Sequence, residues 1–157
     1  LTEKNKIPQN DGKDFIILSM DASHVCAVTA IEEACFSTPW SRKSLEEQLL
    51  NPLSHFLVAA DEEVKGYIGV QEIAGEGYIT NIAVLPGYRR MGIAQALLSK
   101  AMTAAREREC AFITLEVRVS NTAAIALYTK NGFNIVGERR DFYTKPVENA
   151  YIMTRYF

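Results

Sequence analysis

The stretch from Tyr78 to Val119 changes its periodicity twice, and that change constrains the fold more than any other feature of the chain. Tyr78 to Leu85 is β-prone, breaks at Pro86-Gly87 and gives way to Ala94, Leu97, Leu98, Ala101 and Ala105, spaced as one apolar face of a helix. Ala111 to Val119 (AFITLEVRV) returns to a period of two, with Ile113, Leu115, Val117 and Val119 on one side and Phe112, Thr114, Glu116 and Arg118 on the other. Strand, helix and strand in that order form a crossover unit, which joins parallel strands.

The flanking segments add an antiparallel frame. Residues 15–18 form a strand and 24–35 a helix; Ser41 caps a second helix with its body over 44–50, closed by Asn51-Pro52. Residues 55–60 and 64–73 read as strands joined by the acidic Asp61-Glu62-Glu63 turn, a meander completed by 78–85. After the crossover, Asn121 caps a helix over 122–130 and Asn131-Gly132 closes it in a left-handed C-terminal cap. Residues 133–137 and 150–157 are the last strands, with 141–149 connecting them. The expected fold class is α/β, a mixed and mostly antiparallel central sheet of about seven strands flanked by about four helices.

A chain of 157 residues is one domain by size, and 48% apolar with 23% charged residues is ordinary for a globule. Residues 1–13 are polar and aperiodic and are expected to be a flexible tail before a single domain over 14–157. Seventeen basic against nineteen acidic side chains give a charge of -2, so no global positive field draws the protein to nucleic acid or an anionic membrane. Cys26, Cys35 and Cys110 form neither a disulfide framework nor a zinc motif, and no metal is expected. With no signal peptide or apolar span in view, the expected compartment is the cytoplasm.

The chemistry concentrates where strand meets helix. Arg89, Arg90, Met91, Gly92, Ile93, Ala94 and Gln95 form a basic, glycine-containing turn opening a helix, whose unpaired N–H groups and dipole suit a pyrophosphate or a similar anion. The same residues also fit a surface turn with two solvated arginines. They match neither the Walker pattern nor GxGxxG, which excludes the usual nucleotide-hydrolase and dinucleotide signatures.

Arg89-x-x-Gly92-x-Ala94 resembles the acyl-CoA pyrophosphate loop of the GNAT superfamily of N-acetyltransferases. The likeness extends through Phe36-x-x-Pro39-Trp40-Ser41, Asn81-Ile82-Ala83-Val84, Leu115-Glu116-Val117-Arg118, Ser120-Asn121, residues 123–128 and Asn131-Gly132-Phe133, in the order and spacing of the bacterial RimI subgroup, the ribosomal-protein-alanine N-acetyltransferases. It covers about residues 14–153. The resemblance implies a GNAT-like sheet and transfer of acetyl from acetyl-CoA to the N-terminal α-amine of a small-subunit ribosomal protein, without direct nucleic-acid or membrane contact. It implies that the Ile82, Ala83 and Val84 backbone pairs with the pantetheine arm, that residues 90–95 hold the pyrophosphate and that Asn121 contacts the cofactor. Glu116 matches the general base and Tyr128 the general acid. Ala94 departs from a frequent Gly, and Asn149 from an Asp that commonly follows Glu in the C-terminal loop.

These residue types suit the reaction. An α-amine with a pKa of about 7.7–8.0 costs roughly 3.5 kcal/mol less to deprotonate than a lysine near 10.4. A carboxylate can collect that proton directly or through one water, and a tyrosine, protonated at neutral pH, can donate to a departing thiolate. A bulge in the 82–84 strand would free N–H groups to polarise the thioester carbonyl. Each residue also has a structural reading: Glu116 as a solvated partner of Arg118, Tyr128 as a packed helix residue, Asn121 as an N-cap. Trp40 and the Phe142-Tyr143 pair fit either core anchors or walls of a peptide site. Cys35 and Cys110 read as inert core thiols, which favours direct attack over an acyl-cysteine route. The competing functions are a small-amine or lysine acetyltransferase and a non-catalytic acyl-CoA-binding module.

Overall fold

The computed structural model describes residues 14–157, so the expected tail lies outside the described residues. In chain order the elements are β1 (Ile16–Ser19), α1 (Val25–Cys35), α2 (Arg42–Leu50), β2 (Ser54–Ala60), β3 (Val64–Ile73), β4 (Glu76–Val84), α3 (Ile93–Glu107), β5 (Phe112–Arg118), α4 (Thr122–Lys130), β6 (Asn134–Thr144) and β7 (Val147–Tyr156). The strands form one sheet in the order β1-β2-β3-β4-β5-β7-β6. Every pair is antiparallel except β4 with β5, the two strands the crossover helix α3 connects.

Side-chain alternation places one layer of helix on each face. Ile68, Ile79, Ile113, Leu115 and Val117 pack with Leu97, Leu98 and Ala101 of α3 and Tyr128 of α4. Phe56, Val58, Tyr67 and Ala83 point the other way, onto Val28 and Ile31 of α1 and Leu45 of α2. Leu97 and Leu98 are fully buried, so each contributes roughly 1.5–3 kcal/mol by leaving water. The expected caps form: the Ser41 side chain accepts from Ser44 N–H at 3.1 Å, Asn121 from Ala124 N–H at 3.2 Å, and Gly132 takes φ 84° beyond α4.

The crossover pair is short. β4 and β5 are in register only at Glu76–Phe112, Gly77–Ile113 and Tyr78–Thr114, and past Tyr78 they part. Between β3 and β4 the register moves from Val70–Ile79 to Gly69–Asn81, leaving Thr80 as an extra residue. This bulge is the kink that bends β4 away from β5, and it falls before residues 82–84, where the sequence led us to expect it. Opposite it, a Cβ at Gly69 would lie 2.5 Å from the Phe56 ring, so a side chain there would collide with the α1-face core.

The last hairpin differs from the expectation of a short strand over 133–137 and a loop over 141–149. β6 runs on to Thr144 and β7 begins at Val147. A bulge between Arg139 and Tyr143, with Asp141 at φ 51°, absorbs the residues that read as loop. Asn149 Oδ1 accepts from the Asp141 N–H at 2.9 Å and holds that bulge. Polar, turn-forming residues therefore sit inside a long edge hairpin, where sequence pattern alone misplaces the boundary.

Candidate active site

The parting of β4 and β5 opens a cleft of about 550 Å³ through the sheet. Trp40, Ile82, Glu116, Asn121, Tyr128 and Tyr143 all line it, so side chains scattered over more than a hundred residues meet there. β5 alternates strictly in burial, its odd-numbered residues packing under α3 and α4. Glu116 therefore lies on the α1 face of the sheet, whereas Tyr128 reaches the cleft from the α4 face.

Glu116 is a held carboxylate. The Tyr78 hydroxyl donates to its Oε2, and Arg139 Nε lies 3.3 Å from its Oε1. Burial, and next the hydrogen bond to Glu116, push the Tyr78 hydroxyl above its ordinary range, so Tyr78 stays a donor. Arg118 is not the partner the sequence suggested: it bonds Glu148 Oε1 at 3.2 Å and Pro146 O at 3.0 Å and stacks over Tyr143 at 4.2 Å. That clamp ties the β6–β7 turn to β5 and sets Tyr143 at the cleft wall, with Phe142 edge-on at 5.0 Å.

Tyr128 is 5% exposed and packs against Phe133 at 5.7 Å. Burial above all raises its hydroxyl beyond the ordinary tyrosine range. Burial pushes Tyr143 up to about 12.

The turn before α3 divides its work. Arg89 Nε donates to Val84 O at 3.1 Å and so is spent on the strand end. Arg90, at φ 62°, and Met91 are exposed, and Gly92, at φ 78°, is the N-cap. Ile93 is core and Ala94 half-buried, while the Gln95 side chain bonds Ser99 and Asn131 at 2.8 Å each, stitching α3 to the end of α4. The first helical bond is Ala96 N–H to Gly92 O, which leaves the N–H groups of the opening turn aimed outward. Ala83 and Val84 are buried; of the three residues 82–84, only Ile82 lines the cleft.

Sequence reasoning missed the floor of the cleft. Glu32 of α1 is wholly buried and accepts from the Tyr67 hydroxyl, from Asn81 Nδ2 at 2.8 Å and from Trp40 N–H at 3.1 Å. A charged residue on an amphipathic helix reads as solvent-facing, and the Ile31-Glu32-Glu33 run gives no cue to which Glu turns inward. Ser37 Oγ donates to Lys145 O at 2.6 Å, bridging the α1–α2 loop to the β6–β7 turn across the cleft. Cys35 is half-buried, packed on the margin of the α1-face core at the cleft edge with its Sγ 3.6 Å from Val84 O, whereas Cys110 is buried. Among the described residues, no helix is long and apolar enough to cross a membrane.

The cleft thus sets a carboxylate on one face of a split sheet and a buried phenol on the other. The acetyltransferase (GNAT) family model matches residues 25–133. The chain is 36% identical over 139 residues to a protein of Bacillus subtilis (strain 168), spanning 87% of this chain and 92% of that one. It is 34% identical over 139 residues to the ribosomal protein bS18-alanine N-acetyltransferase of Escherichia coli (strain K12), spanning 87% and 94%. The crystal structure of the Escherichia coli ribosomal-protein-alanine N-acetyltransferase superposes with a TM-score of 0.84 at 32% identity, covering 90% of this chain and 93% of that one. The chain belongs to the acetyltransferase (GNAT) family.

Proposed function

We propose that the protein transfers the acetyl group of acetyl-CoA to the N-terminal α-amine, alanine foremost, of a ribosomal protein, by direct attack in a ternary complex. The observation that carries this reading is the placement of Glu116 and Tyr128 on opposite faces of one cleft, which separates a proton acceptor from a proton donor. The relatives named for ribosomal-protein alanine acetylation support the substrate class.

The residues present fit acetyl-CoA. Leu85 N–H bonds Lys65 O at 2.9 Å, so by strand alternation the backbone of Ile82 faces the gap on the other edge of β4. Thr80 and Asn81, just before it, line the same cleft. Ile82 would meet the pantetheine arm, the opening turn of α3 with Arg90 and Gly92 the pyrophosphate, and Asn121 the cofactor near the thioester. Bound there, acetyl-CoA supplies an activated acetyl thioester.

The chain's own groups do the rest. Glu116, held by Tyr78, takes the proton of the acceptor amine directly or through one water. Tyr128 keeps its proton across the working pH range and donates on the α4 side. Trp40, Tyr143 and the Ser37–Lys145 bridge wall the approach of the peptide from the α1 face. An α-amine suits this site because about a tenth of it is already neutral at pH 7.

The test is turnover of acetyl-CoA with an alanine-initial peptide copied from a ribosomal N-terminus, by the wild type and by Glu116→Gln and Tyr128→Phe. Both variants should lose turnover while binding CoA normally. Undiminished turnover in both would remove the mechanism, and failure of the wild type on every free N-terminus would remove the substrate class.

A further inference from the structure

Glu116 has two oxygens, and their partners differ in how firmly they are held. Tyr78 is half-buried in the sheet and its hydroxyl stays protonated, so Oε2 is permanently occupied. Arg139 comes from the edge strand β6, its side chain is 56% exposed, and its Nε approaches Oε1 at only 3.3 Å. A partner of that exposure and reach is weakly bound and readily returned to water. The neighbouring Arg118 cannot replace it, because its guanidinium is spent on Glu148, Pro146 and the Tyr143 ring.

We propose that Arg139 is a displaceable stand-in for the acceptor's ammonium group: it occupies the working oxygen of Glu116 in the free enzyme and swings into solvent when a cationic amine arrives. Gly137 supports this reading. It is in register with Ile152, which is in register with Glu116, so a side chain is missing from β6 at the point nearest the carboxylate. Arg139, two residues on and opposite the small Ala150, reaches Glu116 across β7 and, being mostly exposed, can leave it without disturbing the sheet. The device makes the acceptor compete for Glu116 only while it carries a positive charge. An acetylated product, which has no charge at that nitrogen, gains nothing from displacing Arg139, and the returning guanidinium helps to clear it.

This inference rests on the acetyltransferase reading, and the experiment separates the two. With CoA present to block turnover, an alanine-initial peptide and its N-acetylated copy are titrated at about pH 6.5, below the α-amine pKa, into the wild type, Arg139→Gln and Arg139→Lys. Arg139→Gln should bind the free-amine peptide roughly two- to fivefold more tightly, the scale of an exposed ion pair, and leave the acetylated peptide unchanged. Arg139→Lys should behave as the wild type. An equal shift for both peptides, or weaker binding of the free amine, overturns the proposal. Turnover of the same peptide is measured separately: its absence in the wild type takes down both readings, whereas turnover without the charge-selective shift takes down this one alone.

Discussion

Two carboxylates line the same cleft, and their surroundings assign them different work. Glu32 is wholly buried and meets three donors, Tyr67, Asn81 and the Trp40 N–H, each fixed by a strand, a bulge or a helix-linking loop. Glu116 keeps 10% of its side chain exposed and meets one fixed hydroxyl and one exposed guanidinium. A carboxylate whose partners are all immobile can only hold structure together. One with a partner that can leave has an oxygen to offer. The difference teaches that burial alone does not single out the proposed base; the mobility of what each carboxylate touches does.

Substitution breaks this comparison from either side. Glu116→Gln keeps the hydrogen bond to Tyr78 within reach but removes the proton acceptor, so kcat/KM should fall by about 10²- to 10⁴-fold with little change in Tm. Glu32→Ala should do the reverse. It strands the Tyr67 hydroxyl, the Asn81 amide and the Trp40 N–H in the interior, at about 1–3 kcal/mol each where no water relieves them, so a net loss of about 3–5 kcal/mol is expected in denaturant unfolding. A Glu32→Ala protein with native stability and no turnover would place Glu32 in the chemistry and erase the distinction.

The contrast between the two acids also explains how much could be read from sequence. Glu116 was legible because its strand has a strict period of two, which fixes its face, and because its motif resembles a known one. The crossover, the meander and the caps at Ser41, Asn121 and Gly132 were legible for the same reason: each is decided by residues within a few positions. Glu32 was not, because its donors come from β3, β4 and the loop before α2, and no local pattern records such a meeting. The partner of Glu116 was misread for that reason too: Arg118 is two residues away in sequence, but Glu148 and the β6–β7 turn capture it, leaving the role to Arg139. The long β6–β7 hairpin was hidden by Asp141 and Asn149, residues that signal loops unless a bulge and a cross-strand hydrogen bond accommodate them, while only Lys145-Pro146 forms the turn itself.

Tyr128 sharpens the comparison from the other face of the sheet, with a smaller expected effect. Tyr128→Phe keeps the packing against Phe133 and removes one proton donor, so kcat should fall by about 10- to 100-fold. Its hydroxyl is raised by burial, which means the protonated, donating form persists to higher pH than for a free tyrosine. The kcat profile should therefore show no loss attributable to Tyr128 as pH rises through about 10, the ordinary tyrosine value. A basic limb near that value that disappears in Tyr128→Phe would show that the phenol ionises as if exposed and would contradict its burial.

The smallest effect is expected at Cys35. It is the thiol at the cleft edge, and its approach to Val84 O and to Arg89 at 3.7 Å makes an acyl-cysteine route worth excluding directly. The proposed direct attack needs no thiol, because it assigns the proton acceptor to Glu116 and the donor to Tyr128. Cys35→Ser should then keep kcat within about threefold of the wild type, since a nucleophile's loss costs several orders of magnitude and a change at the wall does not. Mass spectrometry of the wild type mixed with acetyl-CoA and no acceptor should find no acetyl group on Cys35. An acetylated Cys35 that forms and decays at the rate of turnover, together with an inactive Cys35→Ser, would replace the ternary mechanism with a two-step one and move the working nucleophile from the peptide to the protein.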